Sequence, residues 1–217
     1  MTQAVKYAYF DPTVARNYDR ERFTNVPGRV FDRLEKRALA GLIRQVVTEF
    51  EHPRILDAPC GTGRITRLLL EEGLDVTAGD VSEPMIEVAR QKLGRYADYT
   101  DFRRLDLDDL DVEENSFDLV TCIRLFHHLE TDERAAVLAQ VAKATRRYVV
   151  VNISYSSPYY RFRRWVKRRL GQGVSRTCST WREMEAEAAR AGLTIRDWRW
   201  VLPGVSEDLL VLLEKTD

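Results

Sequence analysis

Ile55-Leu56-Asp57-Ala58-Pro59-Cys60-Gly61-Thr62-Gly63-Arg64 decides the fold. An apolar pair closes a short strand and a glycine-bearing turn follows. The spacing of Ile65, Leu68 and Leu69, stopped at Gly73, then opens a helix. Gly61 and Gly63 lack Cβ atoms, so the turn can take positive φ and lie close to a ligand. The helix start offers unpaired N–H groups and a partial positive charge, which suit a carboxylate or phosphate.

Outward from this turn the pattern repeats. Leu74 to Ala78 reads as a second strand, and Pro84, favoured in a helix's first turn, opens a helix to Leu93. A strand near 100–105, an acidic loop from Asp106 to Asn115, an apolar strand from Phe117 to Ile123 and a helix over 131–145 follow. Tyr148 to Ile153 is a β-branched strand. A helix over 180–191 ends at Gly192, and strands lie near 193–201 and 208–214. Upstream, Val30, Phe31, Leu34, Ala38, Leu42, Val46 and Phe50 predict an amphipathic helix over 29–50, preceded by a turn-like Val26-Pro27-Gly28. Strand alternating with helix predicts parallel pairing with helices on both sheet faces. The last two strands are joined by a short segment around Pro203-Gly204, too short for a crossover, so they pair antiparallel. The expectation is one α/β domain with a seven-stranded, mostly parallel sheet and one antiparallel strand.

Three acids fall at successive strand ends: Asp57, then Asp80 seventeen residues beyond Gly63, then Asp106. Ligands of open α/β sheets bind outside the carboxyl ends of the strands, where an acid at the second strand reaches ribose hydroxyls. Taken alone, Gly61-Thr62-Gly63 is a weak signal, and Asp80 also reads as a cap for the helix after Ser82. Together they converge on one sheet edge. A dinucleotide fingerprint needs a third glycine where Thr66 stands, and the Lys-Ser/Thr pair of a triphosphate loop is missing.

Leu56 to Arg64 resembles the first motif of the class I S-adenosylmethionine-dependent methyltransferases. Ala78-Gly79-Asp80-Val81-Ser82-Glu83-Pro84-Met85 resembles their second, Leu105-Asp106-Leu107 their adenine segment, and Ser116 to Cys122 their fourth strand. The resemblance spans roughly 50–155. It implies a Rossmann-like fold with S-adenosylmethionine as cofactor and S-adenosylhomocysteine as product. Asp57, Gly61 and Gly63 would hold the methionine part, Asp80 the ribose, and Met85, Asp106 and Leu107 the adenine. Pro59, Val81 and Ile123 would complete the contact. Pro59 replaces the family's usual first glycine, so this position must not need positive φ. The Lys-Pro-Gly-Gly turn common after the family's fourth helix is replaced by Lys143 to Arg147, which runs straight into the next strand. The resemblance divides the domain into an N-terminal cover and helix (1–50), a cofactor-binding core (51–154), a basic insertion (155–179) and a C-terminal helix and hairpin (180–217).

His127 and His128 follow the fourth strand, and either could serve as base toward a hydroxyl acceptor. His127 is preferred, because His128 abuts apolar Leu129; the alternative is that both merely build the loop. Neither has a neighbouring carboxylate that would suggest a metal site. In the insertion, Tyr159, Phe162, Val166 and Leu170 recur at helical spacing beside Trp165, between Arg161, Arg163, Arg164, Lys167, Arg168 and Arg169. This basic amphipathic helix reads as a lid packed by its apolar stripe, an anionic-substrate clamp, a membrane-surface contact or, least favoured, a nucleic-acid patch. Near the start, Tyr7, Tyr9, Phe10, Tyr18 and Phe23 accompany Arg16, Arg20 and Arg22, similar to the family's mobile cover, and Tyr18 is the candidate cofactor contact.

The 217 residues carry 34 basic and 34 acidic side chains, 44% apolar and 31% charged residues, and three scattered cysteines. That excludes a disordered chain and a disulfide frame, and argues against nucleic acid as partner. With no signal-like start and no apolar run of membrane-spanning length, a soluble cytoplasmic protein is expected. The expected activity is methyl transfer to a small molecule, oxygen ahead of nitrogen or carbon. The alternatives are a methyltransferase acting on RNA or protein, a module that binds the cofactor without catalysis, and, more distantly, an NAD-dependent reductase. Oligomeric state is left open.

Overall fold

The computed structural model describes residues 10–216 except 157, 170 and 172–177. Tyr7, Tyr9 and Leu170 therefore lie outside the described residues. Two helices precede the sheet. In α1 (Pro12–Phe23) the Asp11 side chain accepts the Thr13 N–H at 2.7 Å; in α2 (Val26–Val47) Asn25 does the same for Gly28. The expected turn at Val26-Pro27-Gly28 is instead the first turn of α2. Pro27 sits where its missing N–H has no helical partner to lose.

Then follow β1 (Ile55–Asp57), α3 (Arg64–Glu71), β2 (Val76–Asp80), α4 (Glu83–Leu93), β3 (Thr100–Arg104), β4 (Phe117–Cys122), α5 (Thr131–Ala144), β5 (Thr145–Ser154), α6 (Pro158–Arg169), α7 (Trp181–Arg190), β6 (Leu193–Trp200) and β7 (Asp208–Lys215). They build one seven-stranded sheet in the order β3-β2-β1-β4-β5-β7-β6. Strand β7 runs antiparallel to both neighbours and is the one reversed strand expected. The order turns back on either side of β1 and β4, and ligands of doubly wound sheets bind where it does so.

Alternate side chains serve opposite faces. Leu209, Val211 and Leu213 join Val149, Val151 and Ile153 under α5 and α7, whereas Leu210, Leu212, Tyr148 and Val150 join Leu39, Leu42 and Ile43 of α2 and Leu69 of α3. The central strands β1 and β4 are buried throughout, while edge strand β3 carries Asp101, Arg103 and Arg104. Helix α5 passes into β5 without a loop. The Lys215 ammonium donates to the Ala142 and Thr145 carbonyls at 2.8 and 3.0 Å, satisfying acceptors that a longer turn would otherwise bond.

The insertion is closed at its base by Tyr155 pairing with Ser179. Along the apolar stripe of α6, Val166 is half-buried and Leu170 lies outside the described residues. Tyr159, Phe162 and Trp165 are 59, 63 and 53% exposed, with the Phe162 and Trp165 rings stacked on each other. Among the described residues no helix is long and apolar enough to cross a membrane.

On the opposite layer Arg134 of α5 and Glu187 of α7, 1 and 2% exposed, are bonded at 2.7 and 3.2 Å, and Arg134 also donates to the Leu129 carbonyl. Removing one partner of such a pair leaves a buried charge alone. E187L should lower the unfolding free energy in urea by about 3–5 kcal/mol. The double variant R134M/E187L should recover most of that loss, since the orphaned charge goes too.

Candidate functional site

The turn after β1 is held to the end of β2 by one carboxylate. Asp80 accepts the Gly61 N–H at 2.8 Å on one oxygen and the Ser82 N–H at 2.9 Å on the other. The Cys60 N–H donates to the Gly79 carbonyl at 2.8 Å, and the Ala58 N–H to Thr121 of β4 at 2.9 Å. Gly61 has φ +53°, and an added Cβ there would meet nothing, so its bare backbone faces open space. Burial pushes the Asp80 carboxyl up to about 6, against the opposing pull of its backbone N–H bonds.

That open space is a cleft of about 760 Å³, mouth included. Tyr18, Pro59, Gly61, Asp80, Val81, Met85, Ile123 and His128 all line it, as the sequence reading expects of the cofactor contacts and of one histidine. Asp106 and Leu107 line a smaller hollow next door, which shares Pro59, Val81 and Leu125 with the cleft. A flat apolar group entering beside Val81 would have Asp106 at its edge.

Two expected contacts lie behind the wall instead. The Asp57 carboxylate is fully buried and accepts the Thr66 and Thr121 hydroxyls at 2.6 and 2.8 Å, so it pins α3 and β4 to β1. Gly63, at φ +79°, lets α4 approach: a Cβ there would stand 2.8 Å from Leu93 Cδ1 and 3.1 Å from Ala89 Cβ. Burial and the nearby Asp80 and Asp57 hold the Cys60 thiol protonated, well above its ordinary range. It is a packed thiol, not a nucleophile.

The cleft also has parts that the motif reading did not single out. Arg64 pairs with Asp32 and Glu35 of α2, both at 2.6 Å, and Arg124, at φ +69°, holds Glu35 at 3.1 Å. Glu35 is completely buried. The two guanidiniums lie over the Phe23 ring, and Arg124 over Phe31 as well. Helix α1 is latched alongside by Asp19, which accepts the Thr62 hydroxyl at 2.8 Å and the Lys92 ammonium at 2.5 Å.

Of the two histidines, His127 is buried and faces a second cavity. His128 is half-buried and lines both that cavity and the cleft. Both stand in the turn Phe126–His128, and the later ring is the one at the junction of the two spaces. Among the described residues no group of three His, Cys, Asp or Glu side chains is placed to hold a metal ion.

A family model described as a methyltransferase domain matches residues 55–147. The chloroplastic magnesium protoporphyrin IX methyltransferase of Arabidopsis thaliana is 25% identical over 160 residues, 72% of this chain and 46% of that protein. The ubiquinone biosynthesis O-methyltransferase of Coxiella burnetii is 29% identical over 91 residues, 42% of this chain and 38% of that one. The chain thus spans less than half the length of these curated relatives. The crystal structure of magnesium protoporphyrin IX methyltransferase from Synechocystis PCC 6803 with bound SAH superposes with a TM-score of 0.83 over 100% of both chains at 18% identity, a likeness of fold.

Asp57, like Asp80, is pushed up to about 6, burial outweighing its two hydroxyl donors. The unfolded carboxyl titrates near 4. Between about pH 4 and 6 the folded chain therefore holds more protons, and stability falls as pH rises through that window. In D57N this contribution vanishes. Urea unfolding from pH 4 to 6 should show a shallower decline in D57N than in the parent, the difference amounting to at most about 3 kcal/mol.

Proposed function

We propose, because residues 55–147 match a methyltransferase-domain model and the motifs there resemble those of the class I S-adenosylmethionine-dependent methyltransferases, that the chain is an enzyme transferring a methyl group to a small-molecule acceptor, with oxygen as the favoured acceptor atom. The observation that carries the reading is the Asp80 arrangement: a buried carboxylate at a strand end, beside the open backbone of Gly61 and next to the apolar wall of Val81 and Met85. The Asp80 carboxylate, bonded by backbone N–H groups, has acceptor sites for about four hydrogen bonds and so can still take a ribose hydroxyl. Val81, Met85 and Leu107 suit the faces of an adenine, and Asp106 its amino group. These residues fit S-adenosylmethionine, which supplies a sulfonium methyl to an in-line nucleophile when bound.

The protein's task is then to hold an acceptor oxygen on that line and take its proton. His128, exposed to both cavities, is placed for the proton. Asp57 and Gly63 act from behind, by fixing the turn. The relatives named above, one of them an O-methyltransferase, support a small acceptor and oxygen chemistry.

Helix α6 supports a second contact, with an anionic membrane surface. Tyr159, Phe162 and Trp165 are exposed in a stretch whose sequence holds six basic residues and no acid between 159 and 170. The protein should co-sediment with vesicles containing phosphatidylglycerol and not with phosphatidylcholine alone, and F162S/W165S should stay in the supernatant.

Calorimetry with S-adenosylhomocysteine tests the core of the reading. The parent should bind, and D80N should bind about 10- to 100-fold more weakly, having lost a charged acceptor. Parent affinity should also drop as pH falls below about 6, where Asp80 takes up its proton. With labelled S-adenosylmethionine and an acceptor panel, H128A should lose about 10²–10⁴-fold in turnover while still binding the product. No heat with S-adenosylhomocysteine in the parent would remove the proposal.

A further inference from the structure

Beside the cofactor cleft lies a second cavity of about 890 Å³, mouth included, walled by Arg22, Phe23, Phe31, Arg124, His127 and His128. It meets the cleft at Arg124 and His128, which line both. A further link runs from Arg22 to Tyr18: the guanidinium donates to the tyrosine hydroxyl at 3.2 Å and lies over its ring, and Tyr18 lines the cleft.

The wall has a definite chemistry. Phe23 and Phe31 make it aromatic. Among the described residues its permanent charges are both guanidiniums, and no carboxylate lines it. Arg124 is paired with Glu35, which is completely buried and shared with Arg64. In the cluster behind the wall Arg64, Arg124 and Lys36 face Asp32 and Glu35, so positive charge is in excess even before Arg22 is added. Arg22 is the solvent-exposed member, able to turn toward a bound anion at little cost. A guanidinium and a carboxylate pair through two parallel hydrogen bonds, and the pairing strengthens against an apolar wall.

We propose that this cavity is the acceptor site and that it selects a planar aromatic acceptor bearing a carboxylate, the ring against Phe23 and Phe31 and the carboxylate held by Arg22 and Arg124. The hydroxyl to be methylated then points back toward His128. The inference rests on the methyl-transfer reading above and adds the substrate class.

The test compares two probes that differ in one group, 3,4-dihydroxybenzoate and catechol, titrated into the 217-residue protein already saturated with S-adenosylhomocysteine. The carboxylate-bearing probe should bind about tenfold or more tightly than catechol. The preference should fall severalfold in R22Q, where Arg124 alone remains, and persist in R22K, which keeps the charge. Titration of each variant with S-adenosylhomocysteine first establishes that the cofactor cleft is intact. Equal affinities, a preference unchanged in R22Q, or binding of neither probe to protein that binds S-adenosylhomocysteine each overturns the acceptor assignment alone. Failure to bind S-adenosylhomocysteine overturns the methyl-transfer reading and the inference together.

Discussion

The Asp80 carboxylate, bridging the Gly61 and Ser82 N–H groups, is the interaction on which the cleft depends. A glycine turn of positive φ has no side chains to stabilise it, so its shape must be imposed from outside. Asp80 does this from the neighbouring strand, and the Cys60 N–H to the Gly79 carbonyl does it again one residue away. Burial makes the carboxylate costly, as its raised pKa records, and the same burial makes it a strong acceptor for any hydroxyl that enters. Shaping the turn and recognising a ligand are therefore one act.

A second buried charge network ties the cover to that floor. Glu35 of α2 reaches across to Arg64, at the start of α3, and to Arg124, just beyond β4. A completely buried carboxylate is tolerable only when cations meet it, and here two do. Such a cluster adds little stability over an apolar one of the same shape. What it supplies is position: it fixes two guanidiniums at the seam between helices and sheet, and Phe23 and Phe31 pack against their faces.

Much of this was legible before any coordinates. The change from period two to period three or four at Leu56, Ala78 and Ile123 marks where strands end, and strand ends are where a doubly wound sheet puts its ligands. The apolar runs of β4 and β7 announced buried strands. What failed to show were features set by side-chain direction. Asp57 and Asp80 look alike in sequence, both acids at strand ends, yet one turns inward to Thr66 and Thr121 and the other toward the cleft. Thr66 registered only as a missing glycine, and its hydroxyl is what makes the buried Asp57 tolerable. The first turn of α2 was hidden because Val26-Pro27-Gly28 is as good a turn as a helix start. Glu35 did leave a trace: it falls between Phe31 and Leu39 on the apolar stripe, and a carboxylate on a buried face asks for a cation from elsewhere in the chain.

The division between floor and cover follows from these constraints. The floor is built from backbone turns and strand ends whose geometry is common to any chain that folds this way, so it can recognise only what every reaction of the class shares. The second cavity is assembled from α1, α2 and the loop after β4, elements joined to the floor by a few polar contacts such as Asp19 with Thr62 and Glu35 with Arg64. Only Ala15 is buried in α1, so its surface residues are free to differ without loss of core. Specificity for an acceptor can then be set by side chains such as Arg22 and Phe23 while the cofactor cleft stays unchanged. Arg124 and His128 line both spaces, so a change at either alters both walls at once.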